Sequence, residues 1–285
     1  MAKPVTIPDI VQAKSQRKLS MLTAYDYPTA LTVDACQVDM ILVGDSLAMV
    51  VLGHEDTLSV GMEEMLHHTR AVTRAANHAL VVGDMPFLSY QTGPQEAVHN
   101  AGLFLKKARA KAVKLEGGAA VVDTVRAIVQ AGIPVQGHLG LTPQSAGQFG
   151  GFKVQGRTVE AAKQLIEDAQ ALKEAGCFSI VLEAIPAEIA ARVTEAVSIP
   201  TIGIGAGPDC DGQVLVFHDL VGLFDRFTPK FVKRYAESGS TMQQAVARYK
   251  EEVENGSFPS EEQSFFLTEA ERQRLQELDS QRTSI

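Results

Sequence analysis

Asp45 and Asp84 each stand behind a glycine at the end of an apolar run, in "DMILVGDS" and "ALVVGDMP". A segment bound for a buried core has no general use for a carboxylate. Taken singly, a Gly-Asp at a strand end reads as the N-cap of a following helix. Two in succession, each leading into an apolar loop, read as one shared site. Carboxylates a few ångströms apart repel unless a proton or a cation lies between them. Hard oxygen ligands point to Mg²⁺, which takes one or two carboxylates and leaves its other positions to water and substrate. A 2-oxo acid could chelate such an ion through its oxo and carboxylate oxygens. The ion would then stabilise the enolate formed when a base removes the adjacent proton.

Further ionisable groups fall at the ends of later apolar runs. Lys114 and Glu116 flank Leu115 in "VKLEGG", so a strand would point both the same way. They read either as part of the site or as an internal ion pair. His138, between glycines in "QGHLG", reads equally as a pocket residue or a hydrogen-bonded core histidine. Glu183 in "VLEA" is open to two roles, a buried structural carboxylate or the base of the reaction. "GIGAG" (203–207) permits close backbone approach to a ligand, but a tight turn explains it as well. The seven histidines show no metal-binding spacing, and Cys36, Cys177 and Cys210 fit neither a disulfide framework nor a zinc site.

The elements that must hold these groups follow from period. Short Val/Ile/Leu-rich runs at 19–26, 39–45, 79–86, 112–118, 133–140, 178–184, 199–207 and 214–217 alternate with helix-period stretches, notably 62–76, 94–107, 121–131 and 158–175. Parallel strands buried on both faces and joined by crossover helices give this pattern. The fold class expected is α/β, a (β/α)₈ TIM barrel; a doubly wound open sheet is the alternative. Too little chain separates Gly207 from Val214 for a full helix, so the seventh crossover should be short or irregular. The expected organisation is one catalytic barrel over 1–265 and a polar helical tail over 266–285, capped by Thr268 and Glu271. In such a barrel the catalytic groups sit at the carboxyl ends of the strands, where Asp45 and Asp84 would converge.

A net charge of −8, with no Lys/Arg-rich block, disfavours nucleic acid as a partner. The first eighteen residues lack the apolar core of a signal peptide, and no apolar run reaches membrane-spanning length, so a cytoplasmic location and no membrane partner are expected.

Taken together, "TAYDYPTA", "LVGDSLAMVVLGHEDTL", "GDMPF", "VKLEGG", "GHLGLTPQS", "GGFKVQGR", "VLEAIP" and "IGIGAGPDCDGQVLVFHDLVGL" make the chain resemble the ketopantoate (3-methyl-2-oxobutanoate) hydroxymethyltransferase family over residues 7–265. That family is similar to the phosphoenolpyruvate mutase and isocitrate lyase barrels. The resemblance implies a transferase of pantothenate biosynthesis that moves a hydroxymethyl unit from 5,10-methylenetetrahydrofolate to 3-methyl-2-oxobutanoate, giving 2-dehydropantoate. It implies Asp45 and Asp84 as Mg²⁺ ligands, with Glu116 reaching the metal or its water. Ser46 and Lys114 would hold the oxo acid, His138 would line the pocket and Glu183 would be the general base. A homo-oligomer, often a decamer, is implied as well. Three rival readings compete with it: a Mg-dependent lyase or mutase of the same barrel group, a Schiff-base aldolase using Lys114, and a non-enzymatic binding barrel.

Overall fold

The computed structural model describes residues 3–145, 147, 151 and 153–282. Eight parallel strands close into a barrel in sequence order: β1 (Leu19–Thr23), β2 (Met40–Val43), β3 (Leu80–Asp84), β4 (Ala112–Lys114), β5 (Val135–Gly140), β6 (Ser179–Glu183), β7 (Thr201–Ile204) and β8 (Gly212–Leu215). β8 returns to β1 with Leu19 opposite Gly212 and Met21 opposite Val214, which excludes the open sheet. Each expected strand is present, and no helix among the described residues is long and apolar enough to cross a membrane.

Strand periodicity sorts the side chains into two cores. Met21, Met40, Leu42, Leu80, Val82, Ala112, Val181, Ile202 and Val214 point inward and pack together, joined by Ile10 of α1 (Ile7–Gln12). The alternate residues, among them Ile41, Val43, Val81, Val113 and Ile180, face the surrounding helices. Those helices include α2 (Tyr27–Ala35), α3 (Leu47–Val50), α4 (Met62–Ala75), α5 (Pro94–Ala108), α6 (Val122–Gln130), α7 (Val159–Ala175) and α8 (Ala187–Ala196). Each fully buried large aliphatic or aromatic side chain contributes about 1.5–3 kcal/mol. Gly83 sets the distance of α5 from the sheet, because a Cβ there would run into the Phe104 ring.

The seventh crossover has no helix, as the chain length dictates. Residues 205–211 form a turn held by Lys18, whose Nζ donates to the carbonyls of Pro208 (3.1 Å) and Cys210 (2.6 Å). Asp211 anchors its end, accepting from Thr201 N at 2.9 Å and pairing with Lys14 Nζ at 2.7 Å. After β8 the chain makes one short helix, α9 (Phe217–Leu220), then runs without further helix to the end of this unit.

The compact units divide at Ala236 and Glu237, some thirty residues before the boundary expected at 265/266. The second unit, Glu237–Ile285, carries α10 (Ser238–Glu254) and α11 (Glu269–Arg282). α10 was not set apart from the barrel in the sequence because its apolar side chains keep helical period. Within the unit, Thr268 Oγ1 accepts from Glu271 N at 3.4 Å, the expected cap of α11.

Candidate active site

All seven residues singled out in the sequence line one cavity of about 420 Å³: Asp45, Ser46, Asp84, Lys114, Glu116, His138 and Glu183. Asp84 and Glu183 are the last residues of β3 and β6, His138 lies in β5, and Asp45 and Glu116 sit two residues past β2 and β4. The site therefore occupies the carboxyl ends of five consecutive strands.

Asp45 and Asp84 meet, since Asp45 N donates to Asp84 Oδ2 at 3.1 Å. A helix does follow Asp45, the single turn α3, where the sequence reading had only an apolar loop. Asp45 nonetheless does not cap it; its side chain instead accepts from Gln144 Nε2 at 2.9 Å. Asp84 is 1% exposed. Burial raises the Asp45 pKa well above the ordinary carboxylate range, and the charges of Asp84 and Glu116 push it further. Asp84 is also raised, by burial against the opposing charge of Lys114.

Lys114 Nζ lies 2.8 Å from Asp84 Oδ1 and 3.4 Å from His138 Nδ1. The buried pair is thus Lys114 with Asp84 rather than Lys114 with Glu116, which turns to His138 instead, and all four side chains line the cavity. Burial works against the ammonium, yet the charges of Asp84, Glu116 and Asp45 outweigh it and raise the Lys114 pKa. A lysine held protonated is no amine nucleophile, which argues against the Schiff-base reading.

His138 sits between two carboxylates, Nδ1 3.3 Å from Glu116 Oε1 and Nε2 3.2 Å from Glu183 Oε2. Burial and the Lys114 charge oppose its protonation; hydrogen bonding to Glu116 and Glu183 prevails and lifts its pKa to about 9. Glu116 in turn is lowered, because His138 and Lys114 more than offset its burial. Glu183 keeps 18% of its side chain exposed, toward the cavity it lines.

Sequence reasoning missed the residues that tie these groups together. Gln144, just past β5, donates from its backbone N to Glu116 Oε2 (3.1 Å) and from Nε2 to Asp45 Oδ2 and the Met85 carbonyl. Its Oε1 accepts from Tyr90 OH at 2.7 Å, and Tyr90 OH accepts from Glu116 N at 3.2 Å. Tyr25 OH and Ser46 Oγ are hydrogen-bonded at 2.8 Å. Gln144 lies within the quoted "GHLGLTPQS", and its uncharged side chain gave no signal of its own. Residues 150 and 152 of "GGFKVQGR" lie outside the described residues.

Asp84 Oδ1 and Glu116 Oε1 are buried acceptors without an aligned hydrogen bond, although Lys114 and His138 stand within ion-pair distance. Unsatisfied buried oxygens of this kind fit a cation. No group of three His, Cys, Asp or Glu side chains among the described residues forms a complete metal cage. Glu116 leans to His138, so the geometry suits an ion held by Asp45 and Asp84 with water and substrate, Glu116 standing behind.

The profile of the family described as ketopantoate hydroxymethyltransferase matches residues 4–261. The chain belongs to that family. A 3-methyl-2-oxobutanoate hydroxymethyltransferase of Syntrophobacter fumaroxidans is 67% identical over 282 residues, covering 99% of this chain and 100% of the relative. Among solved structures, phosphonopyruvate hydrolase in complex with oxalate and Mg²⁺ superposes with a TM-score of 0.59 at 11% identity, covering 98% of this chain and 97% of that one. A 2,3-dimethylmalate lyase of the PEP mutase/isocitrate lyase superfamily gives 0.52 at 14%, covering 98% and 96%. Likeness at that identity shows a shared barrel, so the lyase or mutase reading has only the fold in its favour, whereas the family match carries a specific chemistry.

Proposed function

We propose that the protein transfers a hydroxymethyl unit from 5,10-methylenetetrahydrofolate to 3-methyl-2-oxobutanoate, producing 2-dehydropantoate for pantothenate synthesis. The observation that carries this reading is the convergence of Asp45, Asp84, Lys114 and Glu183 on one cavity in a chain of this family. Asp45 and Asp84 would hold Mg²⁺, with Glu116 reaching its water; the Mg²⁺ and oxalate of phosphonopyruvate hydrolase support the pairing of this barrel with a small oxo acid or diacid. When bound, the ion supplies Lewis-acid polarisation of the 2-oxo group and acidifies the C3 proton.

The protein's own groups do the rest. Ser46, fixed by Tyr25, donates to the substrate carboxylate. Glu183 accepts the C3 proton at a carboxylate oxygen, and the adjacent imidazole of His138 holds that carboxylate in place. Lys114 stabilises the negative charge that develops on the substrate oxygen, without a covalent bond. Water hydrolyses the folate methylene, its oxygen going to the carbon and its two hydrogens to N5 and N10 as both C–N bonds break. The C3 carbanion attacks the formaldehyde so formed, and the proton held by Glu183 passes to the new hydroxyl oxygen.

Self-association into a homo-oligomer, a decamer by the resemblance, belongs to the same proposal, as does a cytoplasmic location. The test is direct. Purified protein with 3-methyl-2-oxobutanoate, methylenetetrahydrofolate and Mg²⁺ should yield 2-dehydropantoate, and chelator should stop it; no product under these conditions refutes the reading.

A further inference from the structure

The cavity has a second end that the chemistry above leaves unused. β8 lies four strands from β4 around the barrel, so the chain leaving β8 faces Lys114 and Glu116 across the mouth. It lines that side with Val214, Val216, Phe224, Phe227 and Phe231, and among them stands one carboxylate, Asp219 of α9. Asp219 is only 9% exposed, and its carboxylate has no hydrogen-bond partner among the described residues. Burial raises its pKa to about 6, with Arg234 pulling the other way. Its carboxylate lines the cavity, where the donors of a ligand can take the place of water.

The apolar, partly aromatic walls and this carboxylate limit what fits. A folate carries a planar bicyclic pterin whose pyrimidine edge presents two adjacent donors, the ring N3–H and the 2-amino group. A carboxylate accepts both side by side, and aromatic and aliphatic side chains cover the ring faces. A small branched oxo acid occupies only the polar end, at Asp45 and Asp84. Tyr25 lies between the two ends, its ring centroid 5.4 Å from that of His218, the residue before Asp219, and its OH hydrogen-bonded to Ser46.

We infer that Asp219 and the apolar wall after β8 form the pterin-binding half of the co-substrate site, with Asp219 as its specificity-determining acceptor. The inference rests on the proposed function, and its test separates the two. Tetrahydrofolate, which carries no transferable carbon, and p-aminobenzoylglutamate, which lacks the pterin, are titrated calorimetrically against parent, Asp219→Asn and Asp219→Ser in the presence of Mg²⁺ and 3-methyl-2-oxobutanoate. Thermal unfolding checks that each variant is folded.

Both variants should bind tetrahydrofolate about tenfold to a hundredfold more weakly, the cost of losing hydrogen bonds to a charged group. Affinity for p-aminobenzoylglutamate, which lacks the pterin, should be unchanged. If the parent makes 2-dehydropantoate and both variants bind tetrahydrofolate as it does, the inference alone is overturned. Equal loss of p-aminobenzoylglutamate binding would also overturn it, by removing the pterin from the account. If the parent binds no tetrahydrofolate at all, the inference and the proposed function fall together.

Discussion

At the scale of single residues, the site is a set of charges that offset one another only in part. Asp45 and Asp84 share buried space with Glu116, and Lys114 is the cation set against all three. Asp45→Asn keeps the shape and removes one of the repelling charges, so the metal-free variant should be no less stable than the parent. It should, however, lose the gain that Mg²⁺ brings to the parent, about 5 °C in melting temperature at a hundredfold excess over Kd. Calorimetric unfolding with and without Mg²⁺ measures both. His138 makes a separate, pH-dependent contribution. Its folded pKa of about 9 exceeds the ordinary 6.5, so the imidazolium favours the folded state. That stability is fully present below 6.5 and is lost as pH rises through 9, by at most about 3 kcal/mol. Urea unfolding in chelator across this range should show the loss in the parent, and His138→Gln should flatten it.

At the scale of elements, positions on strand ends decide which side chains meet. Gly140 closes β5 at φ +95°, and a Cβ there would collide with the Glu183 carbonyl and come within 2.8 Å of Ile185 Cγ2. Gly140→Ala should therefore cost about 1–3 kcal/mol in urea unfolding and slow turnover by displacing Glu183. Much of this level was legible in the sequence. Short continuous apolar runs between helix-period stretches marked all eight strands, and the ionisable residues at their ends marked the rim. Gln144 and Tyr90 were not legible, because hydrogen-bonding side chains without charge carry no periodic or compositional signature and are recognised only by what they touch. The one-turn helix α3 was missed for a related reason: four residues are too few to show a period.

For the whole molecule, the barrel and the unit beginning at Glu237 obey different rules. The barrel buries its apolar residues in two cores, whereas α10 leaves Met242, Val246, Tyr249 and Val253 exposed at helical spacing. In the sequence that stripe looks like any core-facing helix, so α10 was read with the barrel, whereas the compact units divide before it. If the stripe serves the proposed self-association, Val246→Glu should lower the mass measured by light scattering while leaving the helical circular dichroism unchanged. The central claim, that this barrel rim takes a proton from C3 of 3-methyl-2-oxobutanoate, is tested most directly by NMR in deuterated solvent without folate. The parent should exchange the C3 proton in a Mg²⁺-dependent way, and Glu183→Gln should bind the ion and the acid yet lose the exchange. Exchange at the parent rate in that variant would contradict the account.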